Sequence, residues 1–257
     1  MKVTPKKHLG QHFLKDETVS QRIAALVQKT GVKNILEIGP GTGALTKELL
    51  KYPELNVQVI EIDRESIAFL AINYPDLKVH TEDFLKANLS SIMGNDPFAV
   101  VGNFPYNIST QIIFKVLENI DQVEAVVGMF QKEVAARFAS GPGSKTYGIT
   151  SVLAQVYYDA EYHFSVDEDA FIPPPKVKSG VISLIRNKVT SIDCDEKLFQ
   201  RTVKMSFNQR RKTLRNSLKQ LWTEAGLDIE PENELFRKRP EQLSVRDFIE
   251  LTQHLTV

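Results

Sequence analysis

The segment GNFPY at positions 102–106 combines residue types that could hold a flat ring carrying an amino group. The side-chain carbonyl of Asn103 and the main-chain carbonyl of the next residue can form a pair of hydrogen-bond acceptors, and Pro105 fixes the backbone that aims the second. Two such acceptors turn the nitrogen lone pair of an exocyclic amine toward a methyl donor. Tyr106 offers a stacking face, worth about 1–3 kcal/mol per base. The segment therefore predicts methylation of an amine, and a plain strand-ending turn is the alternative.

A glycine-rich loop, EIGPGTG, begins at Glu37. With Glu61 about 20 residues further on, it could pass as a dinucleotide-binding fingerprint. However, Pro40 separates the first two glycines, Gly43 comes one position early, and Glu37 would repel an approaching pyrophosphate. A cationic ligand without phosphate suits the loop better, and S-adenosylmethionine, with an ammonium and a sulfonium, is such a ligand. An NAD-dependent oxidoreductase and a tight turn that binds nothing are the alternatives.

Two further acids are placed to bind other parts of that cofactor. Glu61 ends the second predicted strand, where its carboxylate could accept from both ribose hydroxyls, a role common to both cofactor classes. Asp83 follows the third predicted strand and could accept from the adenine amino group. Its alternative role is to cap the residues that follow. Asp63 is expected to face solvent.

These residues lie between strands and helices that alternate along the chain. Strands are predicted over 34–38, 57–62, 77–80, 98–102 and 123–130, and helices over 44–51, 64–73 and 108–120. Such alternation indicates right-handed βαβ crossovers and a doubly wound, Rossmann-like α/β fold with a parallel sheet covered on both faces. In such sheets, ligands bind at the carboxyl ends of the strands.

After Gln131 the pattern changes. Helices are predicted over 132–139 and 149–159, and strands over 162–166 and 180–186. The remainder is helical, so the predicted domains are an α/β domain over 1–186 and a small all-helical C-terminal domain over 187–257.

The basic residues are concentrated in this C-terminal part. The chain has 32 Lys and Arg against 32 Asp and Glu, which excludes a protein that coats nucleic acid with its whole surface. Residues 201–219 nevertheless contain seven basic residues and no acid. We predict an RNA-binding surface there, and a solvated basic face is the alternative. Its predicted members are Arg210, Arg211, Lys212, Arg215 and Lys219.

Composition excludes several other classes. With 42% apolar and 25% charged residues, the chain is an ordinary globular protein. One Cys and five His give neither a disulfide framework nor a zinc-binding spacing, so no metal is expected. No apolar run approaches the roughly 18 residues of a membrane span. The basic start lacks an apolar region typical of a secretory signal, so we expect a cytoplasmic protein, and a monomer.

Seven motifs together resemble those of the ribosomal RNA adenine dimethyltransferases. In chain order they are GQHFLKD, EIGPGTG, VIEID, EDF, VGNFPYNIST, FIPPPKVKSG and FNQRRKTLRNSL. The resemblance spans roughly residues 7–255 and is strongest to the bacterial small-subunit type. It implies a class I methyltransferase fold, S-adenosylmethionine, and two methyl groups on N6 of each of two adjacent adenosines near the 3′ end of 16S rRNA. The implied partner is the small (30S) subunit or its precursor, and the implied process is ribosome biogenesis.

The resemblance also assigns residues. It implies cofactor contacts at His12, Leu14, Gly39, Glu61, Asp83 and Asn103. It implies catalytic roles for Asn103, Pro105, Tyr106 and Phe171. Phe171 precedes three prolines that stiffen the segment, so it could stack on the target base opposite Tyr106, whereas a core Phe is the alternative. Three positions depart from the usual motifs, namely His12 in place of Asn, Phe104 in place of Leu, and Lys178 in place of Asp.

Two alternatives keep the same fold. One is a 23S rRNA dimethyltransferase of the macrolide-resistance type, against which the FNQRRKTLRNSL tail argues. The other is a non-enzymatic assembly or transcription factor, against which the intact Asn103, Pro105 and Tyr106 argue.

Overall fold

The computed structural model describes residues 3–226 and 233–255. The chain forms two compact units. The first consists of Met1–Ala135 and Asp159–Arg186, and the second of Ala136–Tyr158 and Asn187–Val257. The predicted boundary at Asn187 coincides with a limit of the second unit. The sequence places residues 136–158 in the first domain, whereas the structure places them in the second unit.

The first unit is built around β-strands. They are β1 (Phe13–Leu14), β2 (Asn34–Ile38), β3 (Asn56–Ile60), β4 (Lys78–His80), β5 (Phe98–Asn103), β6 (Val123–Gln131), β7 (Tyr158–Val166), β8 (Phe171–Ile172) and β9 (Ser179–Arg186). Seven of them form one sheet in the order β4-β3-β2-β5-β6-β9-β7, and β1 pairs with β8 in a separate antiparallel sheet.

The helices up to α6 connect these strands. They are α1 (Glu17–Lys29), α2 (Thr46–Leu49), α3 (Arg64–Asn73), α4 (Leu89–Met93), α5 (Ser109–Leu117) and α6 (Lys132–Phe138). Strands β2 to β6 are parallel to one another, as predicted. Strand β9 runs antiparallel to β6, so the sheet is mixed where the sequence predicted a parallel one.

The sequence explains why these elements form. Asp16 caps α1 by accepting from the main-chain N–H of Thr18, and the apolar side of α1 is buried. The first five residues of β5 are all buried, as expected for a central strand with both faces covered. Residues 41–45 form a turn, which shortens α2 relative to its predicted start at residue 44. The helix predicted to reach residue 159 ends at Gln155, because Tyr158 already begins β7.

The second unit is helical. Its helices are α7 (Ile149–Gln155), α8 (Glu196–Asn208), α9 (Leu214–Ser217), α10 (Lys219–Glu224) and α11 (Val245–Gln253). The Tyr157 hydroxyl donates to Glu196 of α8 at 2.7 Å, and the Asn187 N–H donates to the Tyr157 carbonyl at 3.0 Å, which ties residues 136–158 to this unit. Among the described residues, we find no helix with both the length and the apolar character needed to cross a bilayer.

Candidate active site

A cavity of about 190 Å³ opens in the first unit where β2, β3, β4 and β5 end. This is the edge at which open α/β sheets bind ligands. The segments that line it are 9–14, 37–42, 44–45, 60–62, 82–85 and 103–108, with Ile23. All the residues predicted to bind the cofactor lie on this one cavity, together with Pro105 and Tyr106. The cofactor set is His12, Leu14, Gly39, Glu61, Asp83 and Asn103.

The glycine loop is built for close approach of the backbone. Gly39, Gly41 and Gly43 all have positive φ, a region that side-chain-bearing residues rarely adopt. A Cβ atom on Gly41 would lie 2.8 Å from the ring of Phe13, and the N–H of Gly41 donates to Oε2 of Glu61 at 3.2 Å. The loop is therefore held close both to β1 and to the end of β3.

Glu61 is buried and its carboxylate is fixed by backbone donors. Oε1 accepts from the N–H groups of Ile62 and Asp63 at 2.8 and 2.9 Å. Burial raises the pKa of Glu61 above its ordinary value, and these bonds together with the one from Gly41 oppose the rise. The carboxylate thus has a defined orientation at the cavity wall.

Glu37 is the second buried acid of the cavity. Burial raises the pKa of Glu37 to about 8, while the Thr46 hydroxyl, which donates to Oε2 at 2.6 Å, favours the ionised form. The nearby charge of Glu61 contributes to this rise. A cation bound in the cavity would favour ionisation of both acids.

Asp83 lies where both of its predicted roles, cofactor contact and capping, would place it. It lines the cavity, and its Oδ1 accepts from the main-chain N–H of Leu85 at 3.0 Å. The side chain is therefore oriented by the turn that follows β4, and a capping contact does not remove it from the cavity.

Asn103 and His12 are joined directly. The side-chain nitrogen of Asn103 donates to the main-chain carbonyl of His12 at 2.8 Å. The His12 ring bonds through Nδ1 to the carbonyl of Pro173 at 2.8 Å, and it stacks on Tyr106 with ring centroids 5.5 Å apart. His12 therefore links the Asn103 amide, the Tyr106 ring and the proline segment.

Tyr106 is held at its far end by Ser179. The two hydroxyl oxygens are 2.5 Å apart, and Ser179 is fully buried at the start of β9. Burial raises the pKa of Tyr106, so the phenol is neutral at physiological pH. Ser179 was not predicted as a site residue, although it lies within the motif FIPPPKVKSG.

Phe171 does not take the place predicted for a base-stacking ring. Its side chain is 1% exposed and belongs to the main core, and β8 pairs it with Leu14. A ring that stacks on a base must present an open face, so the alternative of a core Phe describes this position. The neighbouring Ile172 is the exposed residue, at 55%.

Asp63 also departs from its prediction. It was expected to face solvent, but it is 3% exposed, because the N-terminal segment covers it. Lys6 forms an ion pair with it, and Gln11 donates to it at 3.3 Å. Neither Gln11 nor Asp63 was assigned a role from the sequence.

The basic segment of the second unit is not one helix. It spans the end of α8, a turn and α9, up to the first residue of α10. Arg210 donates to the carbonyls of Lys145 and Ser144 at 2.8 and 3.1 Å, so it braces the loop before α7. These bonds give Arg210 a structural role, so the RNA contacts proposed below are placed on the other four residues. The other predicted residues are exposed, namely Arg211, Lys212, Arg215 and Lys219.

The mixed seven-stranded sheet, with its cavity at the strand ends, defines a Rossmann-like class I methyltransferase. The family model described as ribosomal RNA adenine dimethylase matches residues 3–252. The chain belongs to this family and is an rRNA adenine dimethyltransferase.

Named relatives cover nearly the whole chain. It is 57% identical to the ribosomal RNA small subunit methyltransferase A of Flavobacterium johnsoniae, over 99% of this chain and 97% of that protein. It is 55% identical to the protein of the same name from Bacteroides thetaiotaomicron, over 98% and 94%.

Two solved structures have a similar fold at lower sequence identity. A dimethyladenosine transferase from Plasmodium falciparum is 25% identical with a TM-score of 0.77, over 95% of this chain and 97% of that one. The 23S rRNA methyltransferase ErmE is also 25% identical, with a TM-score of 0.66, over 94% and 99%.

Proposed function

We propose that this protein transfers methyl groups from S-adenosylmethionine to N6 of two adjacent adenosines near the 3′ end of 16S rRNA, as a step in ribosome biogenesis. The small-subunit names of the relatives at 57% and 55% identity support this substrate. One observation carries the proposal. Glu61 after β3, Asp83 after β4 and the segment Asn103–Tyr106 all line the same cavity.

The chemistry of the cavity suits a cationic donor. Two buried carboxylates, Glu37 and Glu61, lie on its wall, and no Lys or Arg is among the described residues that line it. S-adenosylmethionine, when bound, supplies a methyl group on a positively charged sulfur. The residues that would hold it are His12, Leu14, Gly39, Glu61, Asp83 and Asn103.

The segment after β5 would hold the target amine. The acceptor of the Asn103 amide is Oδ1, and the bond from Nδ2 to the His12 carbonyl fixes the direction in which it points. The main-chain carbonyl of Phe104 is the second acceptor. The Phe104 side chain is 1% exposed and packs on Phe130, so replacement of the more usual Leu alters the core and leaves the carbonyl in place.

No general base is required by this arrangement. Once the amine nitrogen has formed its new bond to carbon it is cationic, and it loses its proton to water. Asn103 and Tyr106 therefore act by positioning the base and by electrostatic stabilisation of the attacking nitrogen.

RNA binding is assigned to the exposed basic residues of the second unit. Arg211, Lys212, Arg215 and Lys219 are free of acidic neighbours in sequence and can contact phosphates. We take the small subunit or its precursor as the substrate.

The test uses labelled S-adenosylmethionine with unmethylated 30S and 50S subunits, followed by digestion of the RNA. Dimethyladenosine in 16S rRNA is the expected product. Label in 23S rRNA would instead indicate the large-subunit activity. Binding of the donor with no label in either RNA would indicate a non-enzymatic factor. Donor binding is read separately, since S-adenosylmethionine at about 100 times its Kd should stabilise the protein by about 2.7 kcal/mol, and NAD should not.

A further inference from the structure

The N-terminal segment, residues 3–14, forms one wall of the cavity and is fastened to the first unit from both ends. Leu9 to Leu14 line the cavity. At the far end, β1 pairs with β8, and the N–H of Lys15 donates to the carbonyl of Ala170 at 2.9 Å. At the near end, the fastening point is Asp63.

Asp63 collects donors from this segment. The ammonium group of Lys6 and the side-chain amide of Gln11 both bind it, one on each carboxylate oxygen. The Lys6 main chain in turn donates to the Gln11 side chain at 2.8 Å, which closes a small ring of polar contacts. Lys6 also lies 3.3 Å from Glu65, whose other oxygen accepts from the N–H of Thr4 at 3.1 Å.

Asp63 is equally well connected to the site. Its N–H donates to Oε1 of Glu61 at 2.9 Å. Its side chain accepts from Ser66 at 3.0 Å and from the N–H of Glu65 at 3.3 Å, which caps α3. The carboxylate is thus rigidly placed relative to the cavity, and the N-terminal segment is the part that depends on it.

The segment in turn orients the group proposed to act on the base. The carbonyl of His12, one residue after Gln11, accepts the hydrogen bond that fixes the Asn103 amide. A continuous series of contacts therefore runs from Asp63 through Gln11 and the His12 carbonyl to Asn103.

We propose that Asp63 is a positioning residue for methyl transfer, which holds residues 3–14 over the cavity through Lys6 and Gln11 and so fixes the amide of Asn103. The proposal rests on the proposed function for its catalytic readout. Asp63 itself contacts neither the target base nor the methyl donor. Its loss would make the binding sites of both less ordered.

The main variant is Asp63→Asn, since Asn retains the capping oxygen for α3 but loses the charge that pairs with Lys6. Lys6→Met is the second variant and leaves Asp63 and its cap intact. Glu17→Gln is the matched control, because Glu17 lies just after the segment but its exposed carboxylate pairs with Lys47 of α2, at 2.8 Å, and not with a residue of the segment.

In both test variants, we expect amide hydrogen exchange of residues 4–14 to rise by about tenfold, while α3 keeps its protection. The kcat should fall by about tenfold because the Asn103 amide is less well aligned. S-adenosylhomocysteine should bind about fivefold more weakly because a wall of its site is less preorganised. The KM for RNA should stay within about twofold. The double variant should be little worse than either single one, since both remove the same contact.

Three results would overturn the proposal. The first is exchange in residues 4–14 equal to that of Glu17→Gln. The second is faster exchange with unchanged kcat and unchanged affinity for S-adenosylhomocysteine. The third is loss of protection in α3 as large as in the segment, which would make Asp63 a helix cap alone. Should the unmodified protein fail to methylate 16S rRNA, the proposed function fails, and exchange and affinity still decide the role of Asp63.

Discussion

The side-chain amide of Asn103 donates to the main-chain carbonyl of His12 at 2.8 Å, across 91 positions of sequence. The N-terminal segment therefore fixes the orientation of the Asn103 amide, and with it the direction in which Oδ1 points toward an amine. Because the main chain of His12 accepts this bond, the departure from the more usual Asn at position 12 leaves the contact intact. The His ring adds contacts of its own to Pro173 and Tyr106.

Asn103→Ala should lower turnover by at least about 100-fold, an effect of about 3 kcal/mol, because one of the two acceptors for the amine is lost. The melting temperature should stay close to that of the unmodified protein, since Asn103 is only half-buried. Single-turnover methylation of 30S subunits measures the loss. Near-normal methylation would remove Asn103 from the catalytic role.

Ser179→Ala and Tyr106→Phe should each weaken activity modestly, since each removes the same hydroxyl–hydroxyl bond, typically worth about 1 kcal/mol. Tyr106→Ala should be more damaging because it also removes the stacking face, worth about 1–3 kcal/mol. A double-mutant cycle on kcat/KM should show strong coupling between Ser179→Ala and Tyr106→Phe. Strictly additive effects would mean that Ser179 does not position Tyr106.

Glu37→Gln should remove a pH-dependent loss of stability. The folded protein holds the Glu37 proton up to a pKa of about 8, whereas the unfolded chain releases it near 4.5. The contribution of this group to stability is thus fully present below the lower value and is lost as pH rises through the higher one. The difference in melting temperature, variant minus unmodified protein, should grow between about pH 5 and about pH 8 without donor and then level off. A difference that is constant across this range contradicts the prediction.

Gly41→Ala should destabilise the first unit and weaken donor binding. Its positive φ costs about 1–2 kcal/mol for a residue with a Cβ atom, and that atom would also lie 2.8 Å from the Phe13 ring. Gly31→Ala is the control, since Gly31 has positive φ with nothing within 4 Å of the added atom. Denaturant unfolding and S-adenosylhomocysteine titration should place Gly41→Ala clearly below the control. If the two variants lost the same stability and affinity, β1 would move away from the added Cβ atom without a measurable loss of stability.

Changing Arg211, Lys212 and Arg215 together to Ala should weaken RNA binding and flatten its dependence on salt, because fewer counterions are released. Affinity for S-adenosylhomocysteine should not change. Arg210→Ala should act differently, since its contacts to the carbonyls of Ser144 and Lys145 stabilise a loop of the second unit. We expect a lower melting temperature and a nearly unchanged salt slope for that variant. A triple variant with the original salt slope would leave the basic segment without a role in RNA binding.

The class of fold and most residues of the cavity could be predicted from the sequence. Short apolar runs such as β2 and β5 alternate with amphipathic helices, and this periodicity alone specifies βαβ units with ligands at the strand ends. The sequence also predicted that Gly39, Glu61 and Asn103 line one site, and they do line one cavity, because each lies at or just after the end of a parallel strand.

Contacts between side chains that are distant in sequence could not be predicted in this way. Asp63 is buried because residues 3–11 fold over it, and Phe171 is buried because β8 pairs with β1. Arg210 bonds a loop 65 positions away, although its neighbours in the same basic run are exposed. Charge and hydropathy patterns report the preferences of a residue within its own element. They do not report which other element covers it, and at these three positions that covering element fixes what the side chain does.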